Sequence, residues 1–288
     1  MILKRGKWKN ISNLEKYQQM RDLIENSFQG LVFVDDGHRY YYNGKELECV
    51  SNITHLFTPK FDAESKSKEL YEKYYDDPTS KYYRMTQEQI LDQWIAISET
   101  ACGNGTSVHE FGESCFYFMT YQDDKIIPSF KERLHGDEFE SISEKEDAVV
   151  KFWNDLPQCF VPIASENKVY REDLGYAGTF DILFYYDAEL DGKSPDKSGF
   201  VIFDYKTNKD LYKNYKGERM LHPFKDLLHC SFNTYQLQLS LYQLALEHIG
   251  LRIIARRLIW LKEDSSYEKI STNSYTDMLY SALTNKAA

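Results

Sequence analysis

The sequence lacks any apolar run long enough to cross a membrane. Its most apolar stretches, Leu31 to Val34 and Phe200 to Phe203 among them, fall far short of the roughly 18–20 residues a spanning helix needs. No membrane partner is expected. Excess positive charge is missing too: 35 Lys and Arg against 45 Asp and Glu leave a formal charge of −10. This excludes a protein held on nucleic acid by net charge, while leaving room for a local basic groove. Five cysteines (Cys49, Cys102, Cys115, Cys159, Cys230) are odd in number, scattered and never spaced CxxC. A disulfide framework or zinc knuckle is therefore not expected, and reduced thiols in a cytoplasmic setting fit the pattern. The opening residues MILKRGKWKN are basic without an apolar run, so a secretory leader is not expected either. Repeats and low-complexity linkers are absent.

What remains is an ordinary folded composition. Over 288 residues, 42% are hydrophobic and 28% charged, enough for one large domain or two small ones. The 23 tyrosines stand out against 14 glycines. Aromatic rings can stack on bases, but tyrosine spread this diffusely reads as compositional bias.

Residues 1–28 look helical after a basic start. Residues 31–57 read as strands, with turns at Gly37-His38 and Asn43-Gly44; Asn-Gly between β-formers is a strong hairpin signal. From Ala63 to about Thr100 the pattern is helical, interrupted at Asp77-Pro78. The segment Cys102-Gly103-Asn104-Gly105-Thr106 reads as a break ahead of a new helix carrying Val108, Phe111, Cys115, Phe116 and Met119. Residues 121–147 hold nine acids and four bases, the mark of a solvated surface. Ser143 to Glu146 has the form of a capping box opening the next helix. Three strands follow over 163–171, 176–186 and 199–206, then a helix over Asn233 to Ile249 and a strand over 252–262. The order implies an α/β protein around a central mixed β-sheet flanked by helices.

The chemistry concentrates on those strands. Asp181 and Asp204 fall on adjacent strands, and Lys206 shares a face with Asp204 by the period of two. Paired carboxylates are hard oxygen ligands for Mg²⁺ or Mn²⁺, and a neighbouring lysine can orient a water or neutralise developing phosphoryl charge. Acid-x-Lys alone is common here, starting at Glu64, Asp123, Glu166, Asp191 and Asp204. Asp204 differs because it ends the run Phe200-Val201-Ile202-Phe203, and ionised groups on a buried strand are costly unless employed. His109 follows Gly105-Thr106-Ser107-Val108, and Gln238 and Tyr242 share a helix face at i and i+4.

The ordered set GTSVH (105–109), SENKVY (165–170), GYAGTFDIL (175–183), FDYKT (203–207) and QLSLY (238–242) resembles the RecB-like exonuclease branch of the PD-(D/E)xK nuclease superfamily, phage-type members included. The match spans roughly residues 100–262, and ECVSNITHLF resembles a strand common in phage members. The resemblance implies a restriction-endonuclease-like core over 101–288, with an N-terminal β-hairpin and helical elaboration over 1–100. It implies that His109, Asp181, Asp204 and the Tyr205 carbonyl hold a divalent metal, with Glu166 supporting one or two ions and Lys206 positioning water. Gln238 and Tyr242 match a helix that lines the site and meets DNA, with Gln236 a rival for the glutamine role. Phe180 stands where the superfamily's proline would be, and no cysteine trio follows the QxxxY helix, so no iron–sulfur cluster is expected.

Residues 204–225 add local charge, six bases to three acids. With Thr207, Lys209 and Lys213 they read as a flap tracking phosphates. The expectation is a Mg²⁺- or Mn²⁺-dependent deoxyribonuclease of bacterial or phage-infected cytoplasm. It would act on single strands or duplex ends in replication, recombination or repair, beside a protein partner of those processes, and leave 5′-phosphates. An inactive nucleic-acid-binding module, an RNA-directed enzyme and an endonuclease are the alternatives.

Overall fold

A strand of eight residues, Gly199–Lys206, is buried along nearly its whole length, as its unbroken apolar run implies. In the computed structural model, which describes residues 1–11 and 14–285, it is one of eight strands in the main sheet. The parts of the expected helix over 1–28 and of the core region that fall on 12–13 and 286–288 lie outside the described residues. The chain begins β1 (Ile2–Lys4), α1 (Glu15–Ser27), β2 (Val32–Val34), β3 (Arg39–Tyr42), β4 (Lys45–Cys49), α2 (Val50–His55), α3 (Ala63–Tyr74) and α4 (Gln87–Met119). It continues through β5 (Leu134–His135), β6 (Glu138–Glu140), α5 (Glu144–Asp155), β7 (Phe160–Arg171), β8 (Tyr176–Tyr186) and β9 (Gly199–Lys206). The last elements are α6 (Ser231–His248), β10 (Ile253–Leu261), β11 (Tyr267–Ser271) and α7 (Thr276–Thr284).

The main sheet runs β11-β10-β9-β8-β4-β3-β2, with β7 also on β8. β9–β10 and β4–β8 are parallel, while β7–β8, β8–β9 and β10–β11 are antiparallel. This is an α/β protein with a large mixed sheet flanked by helices. Phe152 and Trp153 of α5 pack on Phe184, Phe203 and Tyr205, and α6 lies against α2 and α7. No helix among the described residues is long and apolar enough to cross a membrane.

One detail of the sheet positions the site. β9 pairs with β8 only over Ile182–Tyr186, and β4 only at Tyr176 and Ala177. Between these two partners, β8 is unpaired on that edge over Gly178–Asp181, so the sheet forks there.

Several local expectations are corrected. The Gly103-Asn104-Gly105 segment does not break a helix: α4 runs unbroken for 33 residues, and residue 100 falls inside it. Its start is fixed by a full capping box between Thr86 and Gln89, and its end by buried Val108, Phe111, Cys115 and Phe118. Helix anchored at both ends offsets the roughly 1 kcal/mol each interior glycine costs. Residues 95–104 are exposed on every side. Val50–His55, expected as strand, is helical, with Val50 and Ile53 turned inward at helical spacing. The acidic segment 121–147 is not merely solvated. β5 and β6 form a small sheet with β1, and Phe139 stacks on Phe111 in the core. At α5, the Ser143 hydroxyl accepts from the Glu146 N–H, but the Glu146 carboxylate accepts from Ile142 N and pairs with Arg133. The reciprocal half of the box is therefore missing. The Asn43-Gly44 hairpin is as expected, with φ of +50° and +77° at the two turn residues.

Candidate functional site

The registers of β7, β8 and β9 place three carboxylates in one row. β7 pairs Ser165 with Ile182 and Asn167 with Phe180, so Glu166 stands opposite Asp181. β9 pairs Phe203 with Ile182, so the next step brings Asp204 opposite Asp181. Neither acid pair is itself a ladder pair, and the row sits at the fork. Like charges directly opposite are destabilising in a sheet, so this row is retained against its own electrostatics. Glu166 also holds a left-handed backbone, φ +46°, a strained state for a residue with a Cβ.

α4 brings His109 to the row. Its Nδ1 is 3.3 Å from Asp181 Oδ2 and 3.8 Å from Glu166 Oε1. The approach depends on Gly112, one turn on, where a Cβ would meet the Tyr205 ring at 2.7 Å. One donor atom each from His109, Glu166 and Asp181 lies within 4.8 Å of the others, a set that could hold a metal ion. Asp204 is not in that set. It lies on the neighbouring strand, fully buried, with Lys206 Nζ 2.6 Å from its Oδ2. The ammonium engages Oδ2, and the buried Oδ1 is left without a hydrogen-bond partner. Lys206 also lies over the Tyr235 ring, 4.3 Å from its centroid.

The charges are strongly coupled. Burial and the neighbouring Asp181 push the Asp204 carboxyl up to about 6, against the pull of Lys206. Burial raises Glu166 to about 7, with His109 opposing and Asp181 adding to the rise. Burial alone would raise Asp181, but His109, Lys206 and the Tyr205 N–H, which donates to Oδ2 at 2.6 Å, hold it below its ordinary value. Burial would lower His109, yet Asp181 and Glu166 raise it to about 10. Lys206 is raised in the same way by Asp204 and Asp181 against burial. A row of acids that must borrow protons and cations to remain buried is a site suited to a divalent ion. The donor chemistry fits: the hard carboxylates suit Mn²⁺ and Mg²⁺, one imidazole joins them, and the unpartnered buried Oδ1 of Asp204 is otherwise unexplained. Tyr205 contributes its N–H and its ring.

The remaining expected residues separate. Gln238 donates to the Tyr242 hydroxyl at 3.1 Å, and Tyr242 packs where a Cβ on Gly178 would lie, beside the fork. Gln236 is engaged elsewhere: it donates to Asn233 and accepts from the Asn273 N–H, tying α6 to the segment after β11. Thr207 Oγ1 is 3.7 Å from where a Cβ on Gly105 would lie, and its carbonyl accepts from Lys145. Lys209 and Lys213 are exposed on the segment after β9. Tyr235 was not anticipated. It stacks on Lys206 and donates to Asn208 at 2.9 Å. Its position three residues before Gln238 and seven before Tyr242, on one helix face, is the signal that could have found it.

No protein-family model matches the chain, and no curated protein matches it.

Proposed function

We propose that the protein is a metal-dependent nuclease that hydrolyses DNA phosphodiester bonds, with a restriction-endonuclease-like core. The observation that carries this reading is the convergence of His109, Glu166 and Asp181 within 4.8 Å, beside the buried Asp204–Lys206 pair. His109, Glu166, Asp181 and Asp204 are the residues that would hold one or two Mg²⁺ or Mn²⁺ ions. Such an ion supplies Lewis-acid polarisation of a phosphoryl oxygen and a nucleophile at neutral pH.

The chain's own groups do the rest. Lys206, charged and fixed between Asp204 and Tyr235, donates toward the attacking water or a non-bridging phosphate oxygen, where negative charge grows. The water's oxygen bonds to phosphorus, the bond from phosphorus to the 3′ oxygen breaks, and the water's proton passes to solvent or to that oxygen. The product strand keeps a 5′-phosphate. Gln238 and Tyr242 line the wall at the fork, where a strand end would enter. Action on single strands or duplex ends, in DNA replication, recombination or repair, belongs to the same proposal. So does a place in the bacterial or phage-infected cytoplasm, with a protein partner from those processes.

The test is cleavage of end-labelled single- and double-stranded DNA with Mn²⁺ and with chelator. The parent is expected to cut only with the metal. Asp181→Asn and Asp204→Asn are expected to lose at least 100-fold, a typical loss when such a group is removed. Cutting by either variant at the parental rate would contradict the assignment.

A further inference from the structure

A cavity of about 920 Å³ does not coincide with the acidic row but opens beside it, and Tyr235, which covers Lys206, is part of its wall. One side is built by the loop before α3 and the first turns of α4; the other is built by the basic segment after β9 and the start of α6. The two sides touch where Lys66 lies over the Tyr215 ring at 5.3 Å. Beyond that contact, the solvent-exposed span 95–104 of α4 runs back to His109.

The wall is aromatic in an unusual way. Phe61 is 71% exposed, more than any other large apolar side chain described, and sits 5.8 Å from Trp94. Trp94 is held in place by its N–H, which donates to Tyr82 at 3.2 Å. Tyr215, on the facing side, is 52% exposed. Rings left in water on both sides of a cleft lose apolar burial that folding would otherwise provide. The charges complete the pattern. Each acid in the wall is engaged: Asp62 caps α3, Glu69 holds Lys66 at 2.7 Å, and Glu218 faces His229 at 3.2 Å. Lys60 and Lys213 have no ion-pair partner among the described residues.

Resting on the nuclease reading above, we infer that this cavity is the seat of an unpaired polynucleotide segment whose scissile phosphate lies at the acidic row. Its bases stack on Phe61, Trp94 and Tyr215, and Lys60 and Lys213 meet its phosphates. Stacking on exposed rings requires bases free of a partner strand and tolerates any sequence. The lining balances Lys60, Lys66 and Lys213 against Asp62, Glu69 and Glu218, so its attraction for phosphates is local, at the two ammonium groups that no carboxylate holds, and the rings carry the rest. A cavity of this size falls within the range that encloses a few ring systems, not a duplex.

The test is binding of fluorescein-labelled dT10 to the full chain in Ca²⁺, read by anisotropy. Phe61→Ala removes an exposed ring and leaves the core intact, so the fold is not at risk; its affinity is expected to fall about tenfold, and Trp94→Ala by as much or more. Phe61→Trp is expected to bind at least as well as the parent. A ten-residue abasic strand is expected to bind the parent as weakly as dT10 binds Phe61→Ala. Lys60→Gln with Lys213→Gln is expected to weaken both ligands and flatten the salt dependence. Equal binding of dT10 and the abasic strand, unchanged binding by Phe61→Ala, or equally tight binding of polyglutamate would each overturn the inference. The nuclease reading is decided separately by cleavage with Mn²⁺. A parent that binds dT10 through its bases yet cuts nothing supports the groove and contradicts the nuclease. One that cuts while Phe61→Ala binds normally does the reverse.

Discussion

At the scale of the residue, Lys206 separates a chemical role from a structural one. An ammonium cannot ligate a cation, and its positive charge opposes one bound at the neighbouring carboxylates. Lys206→Ala is therefore expected to bind Mn²⁺ at least as tightly as the parent by calorimetric titration. Weaker binding would show that the lysine holds the carboxylates in place. The residues that carry this centre were largely legible in the sequence. Asp204 announced itself by ending an apolar run, and Asp181 by sitting mid-strand. The fork was not legible, because it arises from which strands share the edge of β8, and period and propensity do not encode that choice. For the same reason the abreast placement of Glu166, Asp181 and Asp204 became visible only in the registers. Gln236 and Gln238 could not be separated from spacing alone. Their hydrogen bonds separate them, one to the Asn273 backbone and one to Tyr242.

At the scale of the element, α4 offers two glycines with opposite meanings. At Gly112 a Cβ would lie 2.7 Å from the Tyr205 ring, so the glycine permits a close approach. At Gly103 nothing lies within 4 Å, so the glycine only weakens the helix. Gly112→Ala is expected to destabilise by roughly 1–3 kcal/mol through overpacking, and Gly103→Ala to stabilise by roughly 1 kcal/mol. Thermal melting of both variants checks the contrast; a matching sign would contradict the packing described. The misread break at Gly103–Gly105 has the same origin. Local glycine content marks where a helix is weak, whereas distant anchors at Thr86 and Phe111 decide whether it continues.

A second element-scale expectation concerns α1. It is pinned to the end of β8 by Lys16 and Tyr17, both donating to the buried Asp187 carboxylate at 2.5 Å. Burial would raise Asp187, but these donors outweigh it and hold it below its ordinary 3.8. A depressed native value means the stabilisation is complete above the ordinary carboxylate range and is lost as pH falls through the native value. Asp187→Asn is accordingly expected to cost roughly 1–2 kcal/mol at pH 7. Its melting curve should meet that of the parent at acidic pH. A gap that persists or widens on acidification would contradict the role given to this cluster.

At the scale of the whole molecule, the proposed nuclease, with a charge of −10, would attract a polyanion only where its own acids are offset locally. The architecture gathers three acids, a histidine and a buried lysine at one fork in the sheet, beside a cleft with two lysines that have no ion-pair partner among the described residues. The order of strands and helices around a mixed sheet was readable from periodicity. The small sheet of β1, β5 and β6 was not, since it joins segments more than 130 residues apart, each too short to show a period. The most direct measurement is single-turnover cleavage of an end-labelled oligonucleotide by the parent and by Lys206→Ala, both saturated with Mn²⁺. The parent should release products carrying 5′-phosphates, and the variant should be slower by about 100-fold or more. A parent that leaves the strand intact, or a variant as fast as the parent, would contradict the account.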